Sequence, residues 1–344
     1  MMARTGQDNG PSGGKRGKRP TMVDVAREAG VALRTVSRVV NQDPTVGADY
    51  AARVRAAIAA LDFQPDERAR QLRRGVSGTI GAAVRRIAEA NPVLAAIETT
   101  ARAAGLTLLA SSTDDDETRE REVVMSMCRR RLDGVIVDPI GDSHSYLKPE
   151  LDAGTPIVAV DRPMAGVMVD SVMSDNAAGI GMAFRHLVQR GHRRIAYIGD
   201  HERVFTGRER AAAFRACLVA HGEPVEGLVY PGNIDRARIA KALETALHGP
   251  SPATALVTGN ADTTTEVLRC LGERATRLAI VAFDDVPLAD LLRPALTVVA
   301  QNTAELGGTA VELLRARIAD PSRPVQNVTV PVSMIVRGSG ELPA

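Results

Sequence analysis

The chain has no tryptophan, and only five Phe and four Tyr in 344 residues, so little ring surface is available for stacking. Cysteine is equally scarce. Cys128, Cys217 and Cys270 are odd in number and far apart, which excludes both a disulfide framework and a zinc site. Each reads as a small buried hydrophobe on a helix. The six histidines are scattered without metal-ligand spacing. His192, in the turn Gly191-His192-Arg193-Arg194 before an apolar run, reads as structural. No phosphate-cradling glycine loop, zinc spacing or nucleophile elbow occurs, so no catalytic residue, metal or cofactor is expected. No run approaches the ~20 apolar residues of a membrane helix, and no apolar stretch follows the basic N-terminus. The expected location is the cytoplasm, close to the nucleoid.

What is present begins at Thr21–Asn41, TMVDVAREAGVALRTVSRVVN. Thr21 is placed to cap a helix, with Asp24 completing a capping box. Val25, Ala26 and Ala29 form its apolar face, and Gly30 ends it in the left-handed conformation that costs glycine nothing. A second helix is expected over Leu33–Val40, with Val36, Val39 and Val40 turned inward. Its other face offers Arg34, Thr35, Ser37 and Arg38. Two short helices with a polar, basic outer face form a helix-turn-helix suited to a major groove, and an ordinary core hairpin is the alternative. A third helix over Ala48–Leu61, with Val54, Ile58 and Leu61 at helical spacing, closes the unit.

Residues 65–75, PDERARQLRRG, are basic and nearly free of core-forming side chains. So short a helix is marginal alone, and a solvated linker is the plainer expectation. In a dimer, two copies fit a minor groove, arginines on phosphates and Leu72 as an apolar wedge. Charge is distributed accordingly. Residues 1–75 carry fourteen Lys and Arg against eight Asp and Glu, a net of +6, and the rest carries −4. A basic head on a mildly acidic body is the electrostatic footprint of a DNA-binding protein with a separate regulatory part. Residues 1–19, Gly-rich with Lys15, Arg16, Lys18 and Arg19, are expected to be a disordered basic tail.

From Thr79 short apolar runs alternate with amphipathic segments. The strands expected are Ile80–Val84, Thr107–Ala110, Gly134–Val137 and Ile157–Val160, then Ile195–Ile198, Ala255–Thr258 and Leu278–Phe283. Helices such as Val93–Ala104 and Ala177–Gln189 lie between them. Two such sets imply two lobes of parallel sheet covered by helices, with ligands outside the carboxyl ends of the strands. The expected fold class is therefore α+β multidomain. An all-α helix-turn-helix head (20–64) and a hinge helix or linker (65–76) precede a two-lobed α/β domain (77–344).

Read in order, TMVDVAREAGV, RTVSRVVN, ARQLRRG, ERE at Glu120–Glu122, RRRLDGVIV, VDRP at Val160–Pro163, SDNAAG, RGHRRIAYIGD, GRERAAAF, VAFDDVPLADLLRPALTVV and MIVRG resemble the lac-repressor (LacI) family of bacterial transcription regulators. The resemblance spans about Thr21–Gly338. It implies a periplasmic-binding-protein-like two-lobed domain, a homodimer on a palindromic double-stranded operator, and a small-molecule effector between the lobes. Repression is the expected outcome, and with no heptad tail before Ala344 a dimer is expected over a tetramer. A solute-binding protein or an enzyme on the same fold is the alternative, but the helix-turn-helix argues against both.

On the DNA side the resemblance implies contacts from Thr21, Leu33, Arg34, Thr35, Ser37, Arg38, Asn41, Arg70, Leu72 and Arg73. Leu33 and Arg34 occupy the positions that vary with operator, Arg34 suited to guanine and Leu33 to a thymine methyl. Arg38 is placed for a base edge, while Thr35, Ser37 and Asn41 suit phosphates. Ala32 and Gly47 stand where the family often has Ser. On the effector side, strand ends and the resemblance together point to Arg85, Asp161, Arg162, Arg210, Asn260 and Asp284. Arg210 is expected to open the helix that begins RAAAF. Phe205 and Phe283 are the available ring platforms. Family members often have Asn-Asp where this chain has Asn260-Ala261, and an aromatic after the Asn-Pro that here precedes Val93-Leu94. Carboxylates, an amide and forked donors suit a sugar or nucleoside. Three arginines converging on one cleft would suit a phosphorylated metabolite.

Overall fold

The computed structural model describes residues 20–41, 43–64, 77–87 and 91–344. The expected basic tail and the expected hinge, with Arg70, Leu72 and Arg73, lie outside the described residues. The chain divides between Ser77 and Gly78 into two compact units.

The first unit holds α1 (Met22–Ala29), α2 (Leu33–Val40) and α3 (Ala48–Ala60). Asp24 Oδ2 accepts from the Thr21 N–H at 2.9 Å while Thr21 Oγ1 accepts from the Asp24 N–H, closing the capping box. Gly30 ends α1 at φ 63° and ψ 40°. Val25, Ala26, Ala29, Val36, Val54, Ala57 and Phe63 make the core. Their short side chains let the three helices pack closely. Neither Ala32 nor Gly47 supplies a side-chain cap to the helix it precedes.

The second unit contains two six-stranded sheets. The first joins β1 (Thr79–Val84), β2 (Thr107–Ser112), β3 (Gly134–Val137), β4 (Ile157–Val160), β5 (Asp170–Ser174) and β11 (Asn327–Val330). Its order is β11-β5-β4-β3-β1-β2, parallel throughout. The second joins β6 (Ile195–Gly199), β7 (Val229–Pro231), β8 (Ala255–Thr258), β9 (Ala279–Phe283), β10 (Thr297–Gln301) and β12 (Val332–Ile335). Its order is β12-β10-β9-β8-β6-β7, with only β12 antiparallel, on β10. The seven expected strands are β1, β2, β3 and β4 of the first sheet and β6, β8 and β9 of the second, and β5, β7, β10, β11 and β12 were not anticipated.

In the first lobe, β3 and β4 are buried on both faces, as parallel strands under two helical layers must be. Ile136 and Val158 join one core cluster; Val135, Val137, Ile157 and Ala159 join the other. α4 (Pro92–Ala103) and α11 (Thr303–Ala319) cover the first face. They meet closely at Gly307, where a Cβ would lie 2.7 Å from the Val93 carbonyl oxygen. α5 (Glu117–Arg129) and α6 (Lys148–Asp152) lie on the opposite side. The second lobe carries α7 (Asn176–Gln189), α8 (Phe205–His221), α9 (Arg236–His248) and α10 (Ala261–Leu271) around one large core.

The chain passes between the lobes three times: from β5 into α7, from β10 into α11, and from β11 through Pro331 into β12. The cysteines are unpaired, and only Cys128 is buried; Cys217 and Cys270 sit half-buried on α8 and α10, against the expectation for all three. His192 spans Thr254 Oγ1 at 2.8 Å and the Leu342 carbonyl oxygen at 2.9 Å. Among the described residues, no helix is long and apolar enough to cross a membrane.

Arg317, in the last turn of α11, grips fully buried Asp170 with two bonds of 3.0 Å. It also donates to the carbonyls of Pro321 and Pro324, fixing the return into β11. Removing one partner of a buried pair leaves the other charge uncompensated. Asp170→Ala is expected to cost about 3–5 kcal/mol in urea-induced unfolding. A loss below about 1 kcal/mol would show that the pair is not what fixes this return.

Candidate functional site

Two sets of polar side chains stand out, one on each unit. On the first, Leu33 and Arg34 open α2 and are exposed, Leu33 to 48%. Thr35 and Ser37 are half-buried on the same helix, and exposed Asn41 is its C-cap. Thr21 is occupied as the α1 cap. Arg38 departs from the expectation of a free base reader. Its Nε donates to Asp43 at 2.8 Å and its Nη2 to Thr45, tying α2 to the loop before α3. Hydrogen bonds from Thr45 first, then from Arg38, hold the Asp43 carboxyl well below its ordinary range. Arg53 was not anticipated. From α3 it donates to the carbonyl oxygens of Ala29 at 2.6 Å and Gly30 at 3.1 Å, pinning the turn between α1 and α2. Its place one residue before buried Val54 gave no hint of that reach.

On the second unit, polar residues gather at the carboxyl ends of the strands in both lobes. Asp161 follows β4 and Asp284 follows β9, with φ 67° and 70°. Their N–H groups donate to the Val172 and Val299 carbonyls, both at 2.9 Å. The two lobes therefore make the same left-handed step, which an aspartate tolerates better than most side chains.

Arg210 organises the second lobe. It lies inside α8 and does not open it; the helix starts five residues earlier, at Phe205. Gly207 lets that first turn close onto the β6 loop, since a Cβ there would meet the His201 carbonyl oxygen at 2.7 Å. Only 3% exposed, Arg210 donates from Nε to Asn176 at 2.7 Å and from Nη1 to the Gly259 carbonyl at 2.7 Å. Asp284 is 3.5 Å from Nη1. The guanidinium covers the Phe283 ring at 3.7 Å, so that ring is no ligand platform. Asp284 Oδ1 also accepts from Gln301 at 2.6 Å, and Ser174 donates to Gln301 in turn. Asn260 caps α10 through Thr263 N–H at 2.8 Å and donates to Asp200 at 3.4 Å. Phe205 is half-buried, with Arg208 5.6 Å from its centroid. Sequence reasoning missed Asp200, Asn176 and Gln301, although Asp200 directly follows a strand.

In the first lobe Arg85 donates to Asp115, and Arg86 adds a 3.2 Å ion pair to the same carboxylate. Arg86 also reaches Asp262 of the other lobe at 3.5 Å. Arg162 is buried, donates to the Pro139 carbonyl at 3.3 Å and faces Asp161 and Asp138 at 3.6 and 3.9 Å. The three expected arginines thus do not converge as a free cationic surface. Each is matched by carboxylates or carbonyls. Among the described residues, no group of His, Cys, Asp or Glu is arranged to hold a metal ion.

Asp138, at the end of β3, was also missed, although its strand-end place was the available signal. Its Oδ1 and the Arg162 Nε are buried without a hydrogen-bond partner. Burial pushes its carboxyl up to about 7; Arg162 opposes the rise and Asp161 adds to it. An acid whose folded pKa is raised contributes stability that is complete below its ordinary 3.8 and lost as pH climbs through about 7. Asp138→Asn should therefore flatten the pH dependence of unfolding free energy between those values, measured by urea titration at several pH values. Identical pH profiles for the two proteins would contradict this.

Residues 21–66 match the model for bacterial regulatory proteins of the lacI family, and residues 184–340 match a periplasmic binding protein-like domain. The chain is 35% identical over 331 residues to the HTH-type transcriptional regulator PtxS of Pseudomonas aeruginosa, covering 93% of this chain and 96% of that one. It is 28% identical over 330 residues to the ribose operon repressor of Escherichia coli, covering 93% and 99%. Among solved structures, the lac repressor dimer bound to operator and the anti-inducer ONPF aligns with a TM-score of 0.82. That match has 24% identity over 94% of this chain and 99% of the other, a likeness of fold. The expected head and two-lobed domain are both borne out, and the relatives named are regulators of transcription. The chain belongs to the lacI family of bacterial regulatory proteins and is a DNA-binding transcriptional regulator.

Proposed function

We propose that the protein acts as a homodimeric repressor that grips a palindromic operator and answers to an uncharged, polyhydroxylated effector in the cleft between its lobes. The observation that carries the effector half is the doubled strand-end arrangement. Asp161 and Arg162 follow a strand of one lobe, Asp284 and Asn260 follow strands of the other with Arg210 bonded beside Asp284, and each of these arginines already has a protein counter-charge. Such a wall offers acceptors and oriented donors to hydroxyls, without surplus positive charge for a phosphate. A ribose operon repressor among the relatives supports a sugar. Arg85 contributes by fixing Asp115, and Phe205 offers one ring at the edge of the second lobe. In a bacterial regulator of this kind the working compartment is the cytoplasm, at the nucleoid.

On the operator, Arg34 and Leu33 read bases because they are the exposed side chains at the start of α2. Thr21, Thr35, Ser37 and Asn41 hold phosphates, together with Arg70 and Arg73 of the expected hinge, while Leu72 is the apolar wedge in the minor groove. Arg38 serves α2 by bracing its loop, and reaches a base only by leaving Asp43. Arg34→Ala should cost about 1–3 kcal/mol of operator affinity and relax preference at one base pair, read by gel shift against a substituted operator series. A uniform loss across the series would reassign Arg34 to the phosphates.

The effector half is tested by titrating full-length protein with D-ribose and with D-ribose 5-phosphate, and by footprinting the DNA upstream of its own gene in the presence of each. The neutral sugar should bind and change operator affinity by about 1–3 kcal/mol. Asp284→Ala should abolish that response while sparing operator binding. Tighter binding of the phosphate would overturn the uncharged reading.

A further inference from the structure

Glu120 lies on α5, in the Glu120–Glu122 run, and neither candidate site uses it. It is 1% exposed, and a carboxylate this deep persists only where donors replace its water. All of these donors come from one loop, residues 138–147 between β3 and α6. The Ile140 N–H donates to Oε2 at 2.5 Å and the Tyr146 hydroxyl to Oε1 at 3.2 Å. His144, fully buried, brings Nε2 to 2.9 Å from Oε1, a close polar contact off the ideal hydrogen-bond direction. Burial on its own would raise the Glu120 carboxyl, but His144 and the Ile140 amide outweigh it and hold the group below its usual value. The carboxylate is therefore the form the loop is built around.

That loop begins at Asp138, and its Pro139 carbonyl accepts from Arg162. The His144 N–H donates to the Ala165 carbonyl at 2.8 Å, which joins the loop to the one after β4 that carries Asp161 and Arg162. One side chain outside the cleft is thus bonded to the first of these loops and, through His144, linked to the second. An apolar side chain of similar volume would fill the space as well, but it would leave the Ile140 N–H, the Tyr146 hydroxyl and His144 without their acceptor. Packing therefore does not account for a carboxylate with this set of partners.

We propose that Glu120 is a positioning residue of the effector cleft, holding Asp138, Asp161 and Arg162 in place through the two loops without touching the effector. The proposal rests on the cleft being the effector site. It is tested on the full-length protein by comparing Glu120→Met and Glu120→Gln with the wild type, using hydrogen–deuterium exchange and titration with D-ribose. Glu120→Met keeps the volume but leaves the Ile140 N–H and the Tyr146 hydroxyl without an acceptor, so its thermal midpoint should fall by several degrees while the protein stays folded. Exchange in residues 138–147 and 161–166 should rise at least tenfold, with β1 and β3 unchanged, and affinity for D-ribose should fall at least tenfold. Glu120→Gln, whose carboxamide oxygen can still accept from Ile140, should recover part of both.

Unchanged exchange in the two loops of Glu120→Met would overturn the proposal. A rise spread evenly over the first-lobe sheet would overturn it too, because that is general loss of stability. Wild-type protein that ignores D-ribose would count against the sugar reading of the cleft, and the exchange result would then decide the role of Glu120 alone.

Discussion

The second unit depends on three passages of the chain between its sheets, and on the hydrogen bonds that lace those passages together. Ser174 ends β5 and Gln301 ends β10, each just before the chain changes lobe, and the two side chains are bonded. Gln301 continues to Asp284, and Arg210 connects Asp284 to Asn176, the first residue of α7 after the other crossing. Any rotation of one lobe against the other turns about these strands. A ligand that engages Asp284 or Arg210 therefore acts on the groups that set the hinge. The proposed effector residues and the crossings are adjacent because the topology brings strand ends and crossings to the same place.

The cleft also has a particular charge economy. Arg85, Arg162 and Arg210 would each be expensive to bury alone, and each is answered by aspartates, an asparagine or backbone carbonyls. Among the described residues, the first lobe leaves the Asp138 Oδ1 and the Arg162 Nε buried without hydrogen-bond partners. Polar atoms buried without partners are costly, and a hydroxyl can serve either one. Scarce aromatics fit the same picture, since Phe283 lies beneath Arg210 and is not free to stack on a ligand.

The head reaches its shape with little material. Its core is mostly valine and alanine, and two of its three helices start without a side-chain cap, at Ala32 and Gly47. A missing cap costs about 1 kcal/mol at Ala32 and only a few tenths at Gly47. Cross-links from outside the helices offset part of that: Arg53 holds the turn after α1, and Arg38 with Asp43 holds the loop after α2. The side chains left exposed at the start of α2 are those suited to reading bases.

Much was legible in the residues themselves. Thr21, Asp24 and Gly30 mark the ends of α1 by local chemistry alone, and apolar runs such as Gly134–Val137 are strands wherever they are placed. Asp161, Arg162, Asn260 and Asp284 could be singled out because strand ends are local features. Strands β5, β7, β10, β11 and β12 could not. Asp170–Ser174 and Asn327–Val330 are polar in part, and only pairing with a neighbour makes them strands. The same holds for partners: that Arg38 meets Asp43, that Arg210 meets Asn176, and that Glu120 meets residues 140, 144 and 146 follows from how helices seat on sheets. Spacing along the chain determined which elements form and which family they belong to. Distances between side chains far apart in sequence were decided by tertiary packing, because hydrogen bonds and ion pairs act over a few ångströms of space and carry no trace in the order of residues.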